Sequence, residues 1–480
     1  MEVPSGSETV ETTPLVSRTV RVPDQSFRAV LAAASRPRTV WDAPDEATVI
    51  GSGTAATLSA DGTDRFRSIR TAADALFSAG DVHAGTEAAR PRLFGGFAFH
   101  DDGAARPPWT GFPAARFVLP RVQVTVTERN TWLTVNAVGE DATGEAVEER
   151  LAAERERLPG LDADRSPDVE SAAAAANDSA AAAANDSAAA AANDSAAAVA
   201  SPPGITSRER TTAAADWRRG VEAAVERIRA GDLRKVVLAQ ALEVGLARDL
   251  SIPDVLSRLG DRYPDCFRFL VEPAEGDGSF FGATPERLVS LRGRTVETGA
   301  LAGTTGRGET PAEDEWLARE LLDSEKNAHE HELVAEAIRE QLSPFAASVT
   351  TGERTVRRLA TVQHLFTPIT AELAADEHVL SLVQALHPTP AVGGLPPERA
   401  LETIRETEPF DRGWYAAPVG WIDAAGYGSF AVALRSAVAT DRTATLFAGV
   451  GIVADSEPER EWDEVQLKYR PILDELEREK

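Results

Sequence analysis

Apolar positions in the second half of the chain fall into clear periods. Trp217, Val221, Val225 and Ile228 recur at helical spacing, and Gly231 stands where such a helix would be capped. Residues from Lys235 to Leu242 then read as a strand, with Lys235, Val237 and Ala239 on one face. The spacing predicts one long helix from Trp316 to Leu342 and another from Glu459 to Leu476, with β-rich runs at Ser429–Leu434 and Thr445–Val453. Before residue 160 the signals are shorter. Phe117–Pro120 and Val122–Val126 read as strands, Leu93–Phe99 as a strand kinked by its glycines, and Arg65–Ser78 and Glu145–Leu158 as helices. Strands and helices do not alternate regularly, so the pattern predicts an α+β fold rather than a doubly wound α/β one.

Between these halves the periodicity stops. Over residues 171–200 the octapeptide Ala-Ala-Ala-Ala-Ala-Asn-Asp-Ser runs through Asn177, Asn185 and Asn193 before decaying. With no large apolar residue to bury, it reads as a linker or surface insertion and is too short a repeat for a solenoid. The expected organisation is an N-terminal part (1–170), the insertion (171–205) and a core (206–480).

Composition narrows the class. A 43% apolar content over 480 residues supports a packed core. Met1–Pro14 has neither a basic nor an apolar signal region, and no apolar stretch reaches spanning length. The one cysteine, Cys266, suits a reducing compartment, so a soluble cytoplasmic protein is expected. The net charge of −26 disfavours nucleic acid and anionic membranes as partners. Only Lys235, Lys326, Lys468 and Lys480 among the 50 basic residues are lysine. That bias fits adaptation to salt, and high-GC coding would produce it equally. Where arginine has replaced nearly every lysine, those that survive are candidates for chemistry that needs a compact amine whose pKa can fall. Lys235 and Lys468 stand out; Lys480 is terminal.

Three segments could carry chemistry. Glu325-Lys-Asn-Ala-His-Glu-His-Glu332 lies in the long predicted helix, with Glu330 beside its apolar flank. A solvated charged face would look the same. His329 and His331, two apart, face different sides of a helix and cannot chelate one zinc. In Glu461-Trp-Asp-Glu-Val-Gln-Leu-Lys468, positions 461, 464 and 468 share a helical face with Ile472, although Glu464 and Lys468 could equally be a surface ion pair. Carboxylates alone, on two helices, suit Mg²⁺ better than zinc or copper. The third set is Gly282-Ala-Thr-Pro-Glu286, Gly299-Ala-Leu-Ala-Gly-Thr-Thr-Gly306 and Phe447-Ala-Gly-Val-Gly-Ile452. None is a Walker A or Rossmann loop; each could be a β-turn, or let backbone N–H groups approach a carboxylate.

Together these segments resemble the chorismate-utilising enzymes, which include anthranilate, aminodeoxychorismate, isochorismate and salicylate synthases. The resemblance runs from Trp217 to the C-terminus through Lys-Val-Val-Leu-Ala239, Phe-Gly-Ala-Thr-Pro-Glu-Arg287, Gln-His-Leu-Phe-Thr-Pro368, Leu-His-Pro-Thr-Pro-Ala-Val-Gly-Gly394, Glu-Pro-Phe-Asp-Arg-Gly-Trp-Tyr415 and Ala-Leu-Arg435. It implies a sandwich of antiparallel sheets with helices outside. Lys235 stands where the isochorismate and salicylate branches carry lysine and anthranilate synthases carry glutamine. The nucleophilic lysine of aminodeoxychorismate synthases is missing from the loop around Ala302.

The resemblance therefore implies Mg²⁺-dependent conversion of chorismate to isochorismate, in quinone (menaquinone) synthesis and without a glutaminase subunit. The alternatives it leaves are a salicylate synthase and, further off, an anthranilate synthase component. By the same resemblance Lys235 is the general base for water and Glu286 the general acid. Glu330 and Glu464 are metal ligands assisted by Glu461. Arg435, Lys468, Gly303, Thr304 and Gly449 bind substrate carboxylates, His364 faces the ring and Tyr415 the enolpyruvyl group. Gln240, Val450 and Ala417 depart from the family's usual arginine, small residue and glycine.

Overall fold

The computed structural model describes residues 14–78, 80–103, 106–139, 142–158, 199–273 and 278–478. The Ala-Asn-Asp-Ser repeat, through residue 198, lies outside the described residues.

Two sheets dominate, of 13 and 10 strands among the described residues. Pairing is antiparallel throughout except between Leu15–Val22 and Gly80–His83, so the expected α+β class with antiparallel sheets holds. Each sheet is built from two contiguous blocks of strands, one from before the repeat and one from after it, that meet at a single junction. Arg38–Asp42 pairs with Phe267–Glu272 in the larger sheet, and Leu93–Phe97 with Pro418–Ile422 in the smaller. Strands buried on both faces, such as Ser279–Thr284 and Gly428–Val432, are runs of small and apolar residues rather than alternating ones.

The expected elements are present with small shifts of their ends: helices at Arg65–Ser78, Gly144–Arg157, Ala214–Arg229 and Pro458–Leu476, and strands at Lys235–Leu246 and Thr443–Ile452. The long helix expected from Trp316 to Leu342 is two helices, Pro311–Asp323 and Glu325–Leu342. Ser324 has extended backbone angles between them, and its hydroxyl accepts from Asn327 N to cap the second helix. Between Leu322 and Leu333 only Ala328 is apolar, so the apolar pattern gives no period there from which to place a break. The break turns the start of Glu325–Leu342 towards a cavity between the sheets, which Ser324, Lys326 and Asn327 line.

Two of the chain's passages between the sheets are neighbours. Pro285 and Glu286 link Ser279–Thr284 of the larger sheet to Arg287–Arg292 of the smaller; Ala433, Leu434 and Arg435 link Gly428–Val432 back to Ser436–Thr440. The two crossings are tied together. Val432 N donates to Glu286 O at 3.0 Å, and the Thr284 hydroxyl donates to Val432 O at 2.7 Å.

Candidate active site

The crossings form one wall of a cavity of about 360 Å³. Lys235 and Gly449 reach it from the larger sheet, Gly303, Thr304 and His364 from the smaller, and Glu330, Glu461, Glu464 and Lys468 from the two helices. With Glu286, Tyr415 and Arg435, every residue to which the resemblance gave a catalytic, substrate or metal role lines this one cavity. So do all three described lysines, Lys326 included.

Lys235 opens its strand and is 1% exposed. A fully buried Arg412–Glu408 pair supports that strand: Arg412 Nη2 donates to Val237 O at 2.8 Å, and Glu408 Oε1 accepts from Ala239 N at 2.8 Å. Lys235 Nζ donates to Glu330 Oε1 at 2.8 Å. Burial alone would raise the Glu330 pKa, but the charge and hydrogen bond of Lys235, with Lys468 and Lys326 beyond, hold it below the ordinary value. Gly451 makes room for this pair, since an added Cβ would lie 2.6 Å from Glu330 Oε1 and 2.8 Å from Lys235 Cε.

Glu286 behaves differently. Burial pushes its carboxyl up to about 7, outweighing the opposing pull of Lys235, Lys468 and Arg435. The cavity thus holds one carboxyl poised to give a proton near neutrality and one fixed as an anion.

The other two lysines also face carboxylates. Lys468 Nζ is 2.8 Å from Glu464 Oε1 and donates to Gly449 O at 2.9 Å, so the i, i+4 ion pair exists and lies inside the site. Lys326 Nζ is 3.7 Å from Glu461 Oε1. Burial, then the neighbouring charges of Glu464 and Glu330, push the Glu461 carboxyl up against the pull of Ser456 and Lys326. Among the described residues no three His, Cys, Asp or Glu side chains converge as a ready-made metal cage. The charges of Glu464 and Glu330 nevertheless reach Glu461 within the cavity that all three line. Carboxylate oxygens fit a hard divalent cation that takes further ligands from water and substrate.

Opposite, Arg435 Nη2 is 2.8 Å from His364 Nε2, and His364 Nδ1 is 3.1 Å from Thr304 Oγ1. Gly303 forms a bulge before Thr304 with φ +77°, a conformation that suits glycine. His331 steadies this bulge and binds no metal: its Nδ1 lies 3.3 Å from Ala302 O and its Nε2 2.7 Å from Thr367 Oγ1. Tyr415 stacks on Phe447 at 5.3 Å, and burial keeps its phenol protonated.

Sequence reasoning missed Lys326, Gly451 and Arg412. The scarcity of lysine already pointed to Lys326. The Gly-Val-Gly451 run marked Gly451 only as part of a loop, and Arg412 stood only inside the run Glu-Pro-Phe-Asp-Arg-Gly-Trp-Tyr415, with no role attached to it.

Comparison with known proteins agrees with this geometry. The model of the chorismate binding enzyme family matches residues 4–197 and 168–477. The isochorismate synthase MenF of Bacillus subtilis is 36% identical over 400 residues, covering 80% of this chain and 74% of that protein. The salicylate biosynthesis isochorismate synthase of Pseudomonas aeruginosa is 47% identical over 282 residues, covering 57% and 58%. The solved structure of MenF, the menaquinone-specific isochorismate synthase from Escherichia coli, has the same fold at a TM-score of 0.73 and 23% identity, covering 96% of this chain and 95% of that one. The two sheets, their crossings and the cavity between them thus belong to a member of the chorismate binding enzyme family.

Proposed function

We propose that the protein is an isochorismate synthase that serves menaquinone formation in the cytoplasm and needs no glutaminase subunit. The observation that carries this reading is the pairing, across one cavity, of a buried lysine with a carboxyl group held near pH 7. Isomerisation of chorismate adds water at ring carbon C2 and expels the C4 hydroxyl. Lys235 has to enter this step as the free amine, without the proton it directs at Glu330 in the ion pair, and it then takes the proton of the attacking water as the new C–O bond forms. Both ring double bonds shift, C1=C2 to C1=C6 and C5=C6 to C4=C5, the C4–O bond breaks, and Glu286 gives its proton to the departing hydroxyl, which leaves as water. Water is consumed and released, so the atoms balance. Glu286 can act as the acid because burial keeps much of it protonated at neutral pH.

Glu330 and Glu464 would hold Mg²⁺, with Glu461 assisting through water. The ion would supply a positive centre for the ring carboxylate of the substrate. Arg435, Lys468 and Thr304 are placed to bind carboxylate oxygens, and Tyr415 on Phe447 forms an apolar wall against the enolpyruvyl group. The −26 charge and rarity of lysine suit work at high salt.

Chorismate consumption by purified Lys235→Met and Glu286→Gln tests the assignment. Each variant, still folded by circular dichroism, is expected to lose at least about a hundredfold in rate. A folded variant running at the wild-type rate would contradict it.

A further inference from the structure

The polar chain from Arg435 through His364 to Thr304 has a fixed direction. A guanidinium offers only hydrogens, so His364 Nε2, 2.8 Å from Arg435 Nη2, must accept and carries no proton of its own. Burial, with the charges of Arg435 and Lys468, keeps the ring from taking a second proton, against a weaker opposing hydrogen bond to the Gly303 backbone. A neutral imidazole has one N–H, which therefore sits on Nδ1. That hydrogen lies between Thr304 Oγ1, at 3.1 Å, and the Gly303 backbone, and whichever of them accepts it, the hydroxyl cannot donate to a protonated Nδ1. The hydrogen of Thr304 is left over. At the other end of the chain, Arg435 Nη1 is buried without a partner. Thr304 and Arg435 line the same cavity, so an unused donor stands at each end of the imidazole.

We propose that His364 is a positioning residue: held by Arg435 as its Nδ1–H tautomer, it commits the Thr304 hydroxyl to donate to an oxygen acceptor of the substrate, of which a carboxylate is the best match. The last clause rests on the reading that chorismate, with two carboxylates, occupies the cavity. His364 then transfers no proton. It sets the polarity of one contact, and a ligand presenting an N–H or O–H at that point would leave the Thr304 hydrogen without an acceptor.

Two measurements test this, and they fail separately. The first uses the full chain labelled with ¹⁵N-histidine, without substrate; the His364 signals are those lost in His364→Gln or His364→Asn. The expected spectrum has a protonated, pyrrole-type Nδ1 and an unprotonated, pyridine-type Nε2. The reverse assignment, or a doubly protonated ring at neutral pH, overturns the proposal whatever the enzyme turns over. The second compares chorismate kinetics. Thr304→Ser should keep its KM within about twofold, whereas Thr304→Val should raise it about tenfold while kcat changes far less. An unchanged KM in Thr304→Val overturns the committed donor. The expected tautomer in a wild-type protein that leaves chorismate untouched would support the direction of the chain and overturn the substrate reading instead.

Discussion

Glu286 links the chemistry of the site to the stability of the fold. Its carboxyl has an ordinary value of 4.5 and a folded value of about 7, raised first by burial. The folded protein therefore keeps a proton that the unfolded chain has released. This contribution is fully present below about pH 4.5 and is lost as pH rises through about 7, a change of about 3 kcal/mol. Glu286→Gln keeps the shape and removes the titration. Relative to wild type, its stability should improve by about 3 kcal/mol between pH 4 and pH 8.5, read from urea midpoints at both. A constant difference between the two proteins would mean that the carboxyl is not buried as described. The same titration predicts that chorismate turnover falls above about pH 7, as the acid form disappears. At this scale the sequence was informative about identity and silent about state. The rarity of lysine and the Thr-Pro-Glu286 turn marked the groups, but how far a carboxyl such as Glu286 titrates depends on burial and on charges from distant parts of the chain, among them Lys235, Lys468 and Arg435.

Periodicity located the helices and strands to within a few residues and missed where they stop. Ser324 separates two helices with a single cap inside a polar stretch that carries no apolar period, and Lys326, Asn327 and Glu330 of the second helix line the cavity. Close approach between elements is equally hidden. Gly451 lies in the strand Thr443–Ile452, yet what it accommodates comes from another strand and from a helix. Gly451→Ala should drive Glu330 and Lys235 apart and lower chorismate turnover by about a hundredfold, because misplacement of about 1 Å has that effect. Its stability should fall by less than about 3 kcal/mol, since side chains at the site can shift. A variant with wild-type kinetics would show that the Lys235–Glu330 spacing does not matter to the reaction.

For the whole molecule, the resemblance supplied the antiparallel architecture, while hydrophobic pattern gave only the α+β class. Which strand pairs with which was not legible, because partners such as Arg38–Asp42 and Phe267–Glu272 lie more than 200 residues apart and many buried strands look alike. The charge of −26 was plain from composition, and its consequence is global. Self-repulsion should ease as salt rises, so Tm should climb by several degrees between about 0.1 and 2 M KCl. A Tm that falls over that range would argue against salt adaptation.

The central claim is that the cavity isomerises chorismate. Its most direct test is to incubate the purified protein in high KCl with chorismate and Mg²⁺, with and without EDTA, and to resolve the products by HPLC. The account predicts isochorismate, formed only when the metal is present and with no pyruvate. Salicylate with pyruvate would move the protein to the lyase branch, and chorismate left intact by folded protein would contradict the assignment altogether.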